Sequence, residues 1–234
     1  MSKSIDDRVA AKRLAGIEVA AMVQNHMVVG LGTGVTSSFA IEQLGKRVRD
    51  EGLDIVGIPT SFEAAANARR AGIRIQTLYD VSVVNLAFDG ADEVDTKKNL
   101  IKGAGGAFVR EKVIDSAAEE FIVVVDGAKV VDVLGRSTTV PIEVLPFALP
   151  AVTKALKRMG ALAEVRVSDK KIGPVVTENG NVIVDASFGP IDDPAALEAA
   201  LNDIPGVVDN GLFVGLASLV LIGLAGELRV TRLD

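Results

Sequence analysis

The chain has 234 residues, 49% of them apolar and 24% charged, and a formal net charge of −6. That composition excludes a disordered chain, and the negative balance excludes a broad cationic field for nucleic-acid backbones or anionic lipid. Cysteine is absent, which removes disulfides, thiolate nucleophiles and cysteine metal sites together and suits the cytoplasm.

Asp6 to Met22 reads as an amphipathic helix with Val9, Leu14, Ile17 and Met22 as its apolar positions. The charged stretch Met1 to Arg13 lacks the apolar centre of a signal peptide, and no run reaches about 18 uninterrupted apolar residues, so an intracellular chain is expected. Met27 to Leu31 is a short strand that runs into Gly30-Leu-Gly32-Thr33-Gly34-Val35-Thr36-Ser37-Ser38, and Phe39 to Val48 is helix. Strand, glycine turn and helix together offer several N–H groups to an anion, and the hydroxyls of Thr33, Thr36, Ser37 and Ser38 are expected to add donors. The spacing Gly-x-Gly-x-Gly is not the dinucleotide fingerprint, so the stretch reads either as a phosphate cradle or as a plain tight turn.

Asp54 to Ile58 is a second strand, and Ser61 is placed to cap a helix from Phe62 to Ala71 that stops at Gly72. Ile73 to Leu78 is a third strand and Val83 to Phe88 a fourth, whose apolar character says buried and central. Alternation of strands with helices argues for a parallel sheet covered on both faces. Ligands of such sheets collect beyond the carboxyl ends of the strands, where Asp89 and Asp92 fall. Asp89-Gly90-Ala91-Asp92-Glu93 also reads as turn chemistry followed by a solvated acidic loop. Lys102-Gly103-Ala104-Gly105-Gly106 follows, then a helix from Ala107 to Glu120 carrying Glu111 about one turn in. A fifth strand, Glu120 to Val125, delivers Asp126 and Lys129 to the same edge.

Beyond Leu134 the alternation changes. The order strand 140–145, helix 149–159, strand 163–167, an Asn179-Gly180 hairpin between 175–177 and 182–186, a helix opening at Asp193-Pro194 and a strand 207–214 reads as a ferredoxin-like βαββαβ unit. The expected organisation is therefore α/β: a Rossmann-like, mostly parallel domain of residues 1–134 and 215–234, with a smaller ferredoxin-like α+β domain, 135–214, inserted. Val220 to Leu224 and Leu228 to Leu233, joined through Gly226, are expected to close the first domain, and apolar strands there suggest a homo-oligomer, a dimer or tetramer.

Five segments in this order carry a resemblance: Gly30-Leu-Gly-Thr-Gly-Val-Thr36, Asp89-Gly-Ala-Asp-Glu93, Lys102-Gly-Ala-Gly-Gly-Ala-Phe-Val-Arg-Glu-Lys112, Asp126-Gly-Ala-Lys129 and Ile204-Pro-Gly-Val-Val208. Over its whole length the chain resembles ribose-5-phosphate isomerases of the A type. The resemblance implies interconversion of ribose 5-phosphate and ribulose 5-phosphate through an enediolate, in the non-oxidative pentose phosphate pathway, with no cofactor and no metal. It implies Glu111 as the base between C1 and C2, Asp89 and Asp92 at the sugar hydroxyls and ring opening, and Lys102 beside the reacting oxygens. The turn Thr33, Gly34, Val35 and Thr36, with Lys129 and Lys12, would hold the substrate and its phosphate, and Gly90, Ala91, Gly103, Ala104 and Gly105 would line it.

A single positioned carboxylate can serve adjacent carbons, and a fixed cation with loop amides can stabilise the enediolate. The partner is thus a small pentose phosphate, with neither nucleic acid nor membrane. Two positions depart from the family pattern: Val35 stands where a serine is usual, which removes a hydroxyl, and Ala104 where a glycine is usual, so residue 104 must avoid a strongly positive φ or bear strain. The alternative is a non-catalytic sugar-phosphate sensor on the same scaffold, which would not need both Lys102 and Glu111. A metal site built from Asp89, Asp92, Glu93 and Asp95 has acids enough but no neighbouring histidine.

Overall fold

The computed structural model describes residues 5–168, 170–224 and 229–233 and divides into two compact units. Unit 1 comprises Met1–Ala91, Arg110–Val130 and Leu216–Asp234; unit 2 comprises Asp92–Val109 and Val131–Gly215. In chain order unit 1 begins with α1 (Ile5–Met22), β1 (Val28–Leu31), α2 (Val35–Asp50), β2 (Val56–Pro59), α3 (Phe62–Ala71), β3 (Arg74–Ile75) and β4 (Val84–Asp89). The chain enters unit 2 with β5 (Glu93–Val94) and β6 (Leu100–Ile101), then returns along α4 (Phe108–Ala117) and β7 (Ala118–Asp126). Unit 2 resumes with β8 (Val140–Val144), α5 (Leu149–Arg158), β9 (Leu162–Val165), β10 (Val167–Ser168), β11 (Lys171–Pro174), β12 (Val182–Ser187), α6 (Pro194–Asn202), β13 (Val207–Asn210) and β14 (Leu212–Phe213). Unit 1 closes with β15 (Leu219–Leu224) and β16 (Arg229–Leu233).

The seven strands of unit 1 lie in the order β16-β15-β7-β4-β1-β2-β3, all parallel except the edge pair β15 and β16. The chain steps from β1 to β2 and β3 on one side, then crosses to β4 on the other. The β1/β4 boundary is therefore the topological switch point, where an open α/β sheet leaves a crevice at its carboxyl edge. Leu31, Phe88, Ile122 and Val124 from the sheet share one core with Ala15, Val19, Ile41 and Leu44 from the helices. Helix α1 buries its small residues, Ala11, Ala15 and Val19, while Val9 and Ile17 are exposed, contrary to the expected apolar face. Close packing explains it: a Cβ added at Gly16 would lie 2.9 Å from the Ala40 amide nitrogen of α2, so this face admits only small side chains.

Unit 2 contains a four-stranded antiparallel sheet ordered β13-β8-β12-β9, with α5 after β8 and α6 after β12, the ferredoxin-like arrangement. A second sheet, β14-β6-β5, ties residues 92–109 to the same unit, and Ile101 joins the core of Val140, Ile142, Val184 and Leu212. This differs from the expected boundaries, which put 92–109 and 131–134 in the first domain.

Two strand expectations are corrected. The third strand stops at Ile75 rather than Leu78, because the Asp80 carboxylate accepts from the Thr77 amide at 2.9 Å and its hydroxyl at 2.7 Å and starts a turn. The Asn179-Gly180 turn forms, with Gly180 at φ 83°, but residues 175–177 make only one bridge, Val176 to Val182. Buried Glu143 gathers Thr177, Asn179 and Asn181 onto its Oε1 at 3.1, 3.0 and 2.7 Å, so that stretch serves a side chain instead of a ladder. The expected junction at Gly226 and strand start at Leu228 lie outside the described residues.

Candidate active site

In unit 1 the switch point is built around one carboxylate. Asp89, the last residue of β4 and fully buried, accepts at Oδ1 from the Thr33 amide (3.1 Å), the Ser37 hydroxyl (3.2 Å) and the Gly90 amide (2.7 Å). The turn after β1 passes so close that a Cβ at Gly32 would stand 2.4 Å from Asp89 Oδ1 and from the Phe88 carbonyl oxygen. Gly34 then takes φ 94° as the N-cap of α2 and supplies no side-chain cap. The amides of Val35, Thr36 and Ser37 therefore open the helix with no preceding turn to accept them, and no acidic residue stands in that turn. An anion fits that end of the helix.

The hydroxyls differ from expectation. Thr33 Oγ1 donates to Ser61 Oγ at 2.7 Å and lies 2.8 Å from Thr60 Oγ1, Ser37 Oγ goes to Asp89, and Ser38 Oγ donates to the Gly34 carbonyl at 2.9 Å. Only the Thr36 hydroxyl remains uncommitted among the described residues. Thr33 thus shapes the turn, and the donors left for an anion are mostly backbone. Ser61 caps α3 as expected, accepting from the Ala64 amide at 3.1 Å, and together with Thr60 also takes up the Thr33 hydroxyl. Nothing in their sequence spacing pointed to Thr33. Val35 is 56% exposed, so the missing hydroxyl leaves the turn's backbone undisturbed.

Glu111 sits in the first turn of α4 and is buried, at 6% exposure, which a merely solvated surface glutamate would not be. Asp115, one turn on, is buried as well. At the carboxyl end of β7, Asp126 caps the short 3₁₀ turn Gly127–Lys129, accepting from the Ala128 amide at 2.9 Å, and its other oxygen lies 3.8 Å from Lys12 and 3.7 Å from Arg8. The structure thus brings Lys12 and the turn carrying Lys129 to the same carboxylate.

In unit 2 the second glycine turn is held from a different direction. Asp92 donates its amide to the Ile101 carbonyl at 2.8 Å and accepts at Oδ2 from the Ala104 amide at 2.9 Å. Lys102 is buried at 3% exposure, donates its amide to the Gly211 carbonyl at 2.9 Å, and carries its Nζ 5.4 Å from the centre of the Phe213 ring. Arg166, which belongs to no motif of the chain, donates from Nη1 to the carbonyls of Gly103 (2.8 Å) and Ala104 (3.1 Å) while its Nε pairs with Asp185 at 2.8 Å. Across a trans peptide the next N–H points opposite the carbonyl, so fixing the Ala104 carbonyl aims the Gly105 amide away from Arg166. Positive φ falls on Gly103 (112°) and Gly106 (79°) and not on Ala104, which therefore bears none of the strain its Cβ could have caused.

The remaining acids of the loop are structural. Glu93 is buried and accepts from the Gly135 amide (2.7 Å) and from the Ser137 amide (3.0 Å) and hydroxyl (2.6 Å), and Asp95 accepts from Lys97 and Asn99 within its own turn. No group of three or more His, Cys, Asp or Glu among the described residues is placed to hold a metal ion.

Comparison with known proteins shows the family. The sequence model of the family Ribose 5-phosphate isomerase A (phosphoriboisomerase A) matches residues 56–227. A ribose-5-phosphate isomerase A of Thermosynechococcus vestitus is 54% identical over 91% of this chain and 90% of its own length, and that of Gloeothece citriformis is 47% identical over the whole of both. Among solved structures, a D-ribose-5-phosphate isomerase in complex with phospho-erythronic acid is 44% identical with a TM-score of 0.93, covering 96% of this chain and 97% of its own. The Methanocaldococcus jannaschii enzyme is also 44% identical, with a TM-score of 0.91 over 95% of this chain and 97% of its own.

Proposed function

The chain belongs to the ribose 5-phosphate isomerase A family, and from that premise we propose how its own side chains divide the work of interconverting ribose 5-phosphate and ribulose 5-phosphate. It is an aldose–ketose isomerase of the pentose phosphate pathway. The first-turn amides of α2 at Val35 and Thr36, the Gly34 amide and the Thr36 hydroxyl hold the phosphate, with Lys12 and Lys129 supplying charge. Anchoring that remote end orients the sugar without contributing to the chemistry itself. Asp89, Gly90, Ala91 and Asp92 take the sugar hydroxyls, and the two acids assist ring opening.

Glu111 then removes the proton from C2 of the open-chain aldose, and the electrons move onto the carbonyl oxygen to give an enediolate. Returning the same proton to C1, while the O2 hydroxyl proton passes to O1, yields the ketose, so one carboxylate suffices for the carbon-bound proton in both directions. Lys102 and the amides of Gly103 and Gly105 stand against the developing oxyanion, where fixed donors act without reorganisation, while Ala104, its amide held by Asp92, lines the turn. The observation that carries the allocation is the burial of Glu111 in the first turn of α4.

Ribose 5-phosphate incubated with the protein in deuterated water should exchange its C2 hydrogen. Glu111→Gln should lower turnover by about a thousandfold with KM nearly unchanged, the loss expected for a general base. Tight binding without turnover by the wild type would sink this reading and favour the sensor. We further place the protein in the cytoplasm, which its cysteine-free composition suits, and infer a homo-oligomer. Among the described residues no helix is long and apolar enough to cross a membrane. The oligomer is supported by the exposure of Phe147, Leu162 and Ile172 in unit 2, and light scattering showing a monomer at working concentration would dismiss it.

A further inference from the structure

We propose that Asp126 is a positioning residue, one buried carboxylate that sets both lysines serving the substrate phosphate. This rests on the assignment of Lys12 and Lys129 to the phosphate made above. Asp126 is 2% exposed and ends β7 at the carboxyl edge of the sheet. Its two oxygens have separate tasks. Oδ1 accepts from the Ala128 amide and so fixes the 3₁₀ turn from which Lys129 departs.

Oδ2 is buried and has no hydrogen-bond donor within reach among the described residues. Its company is two cations of α1, Arg8 Nη2 at 3.7 Å and Lys12 Nζ at 3.8 Å, which one helical turn separates and which therefore share a face. A buried carboxylate needs such compensation. At 3.8 Å the attraction restrains the Lys12 ammonium without consuming a directed N–H bond, so its donors stay available to a ligand.

Two effects oppose each other at this position. The negative charge of Asp126 weakens the field a phosphate meets, and on that ground alone its removal would tighten binding. Against this, a free lysine chain has large rotamer freedom that must be lost on binding, and anchoring beforehand removes that loss. Two cations already outnumber the single carboxylate, and the cap sets a third. Positioning is therefore expected to win, and the sign of one measurement decides.

Asp126→Asn keeps an acceptor for the Ala128 amide and removes only the charge. KM for ribose 5-phosphate and the inhibition constant of inorganic phosphate should rise roughly three- to tenfold, the cost of immobilising one flexible side chain. Turnover should stay within about twofold, and inhibition by unphosphorylated ribose should not change, because neutral sugar makes no use of the lysines. Lys12→Ala combined with Asp126→Asn should give less than the product of the two separate effects. Asp126→Ser, which also caps, carries the same expectation should the asparagine variant fail to fold.

An unchanged or lowered KM in Asp126→Asn, with Lys12→Ala impaired, overturns the positioning role alone. A parallel rise for ribose also overturns it, since that is the mark of general disorder. If Lys12→Ala and Lys129→Ala both leave KM unaltered, the phosphate assignment itself falls and takes this inference with it.

Discussion

The two glycine turns, Gly32 to Ser38 in unit 1 and Lys102 to Gly106 in unit 2, have similar composition and opposite wiring. In the first, a buried carboxylate pulls donors inward: Asp89 takes the Thr33 amide, the Ser37 hydroxyl and the Gly90 amide, and a helix N-terminus presents the amides that remain. In the second, a guanidinium pulls acceptors: Arg166 takes the carbonyls of Gly103 and Ala104, and the following amide turns the other way. The first arrangement suits a permanent anion such as a phosphate, held through dipoles that cost no protein charge. The second would suit an oxygen whose charge appears only during reaction, because it offers a buried lysine and fixed amides. Glycine content therefore reports that backbone comes close to a neighbouring group, while the polarity of the anchor decides which backbone groups are left to present.

The sharpest way to break this comparison is Lys102→Met. If unit 2 carries the developing charge, turnover should fall by about a hundred- to a thousandfold with little change in KM, as for other lost oxyanion donors. A large KM change with intact turnover would make Lys102 a plain binding group. Gly32→Ala comes next. Its Cβ would meet Asp89 and the Phe88 carbonyl at 2.4 Å, so overpacking should cost about 1–3 kcal/mol of stability, measured by urea unfolding. Stability equal to wild type would mean the turn is not pinned to Asp89.

Arg166→Met removes the anchor of the second turn without touching the first. Turnover should drop roughly tenfold through lost alignment, with KM for phosphate-bearing inhibitors unmoved, and the melting point should fall because Asp185 loses its partner. Equal effects on phosphate affinity and turnover would erase the distinction between the turns. The smallest effect is expected from Val35→Ser. Residue 35 is exposed at the start of α2, and an added hydroxyl should lower KM by about threefold, one neutral hydrogen bond, with turnover constant.

Much of the first unit was legible because parallel strands buried on both faces write themselves as mainly apolar runs, as at Val84 to Phe88, where Asn85 is the one polar residue. Caps at Ser61 and Asp193 were legible for a local reason, since the residue that caps lies three positions from the amide it serves. The Asn179-Gly180 turn was equally local, yet the strand before it was not, because its fate depended on Glu143, 34 positions from Thr177. Helix α1 misled for a related reason. Apolar period alone cannot tell which face meets a neighbour close enough to require alanine.

Sequence by itself determined which groups the chain owns: two glycine turns, Asp89, Asp92, Lys102 and Glu111, in an order and spacing that resembles one isomerase family. Tertiary structure alone decided how those groups are spent. The Thr33 hydroxyl is turned onto Ser61, Ala104 is spared positive φ by its glycine neighbours, and Arg166 reaches back 63 positions to hold a loop it does not resemble in any motif. Local rules read partners within about a turn of the chain, whereas a hydrogen bond between distant segments exists only once the sheet has brought its strand ends together.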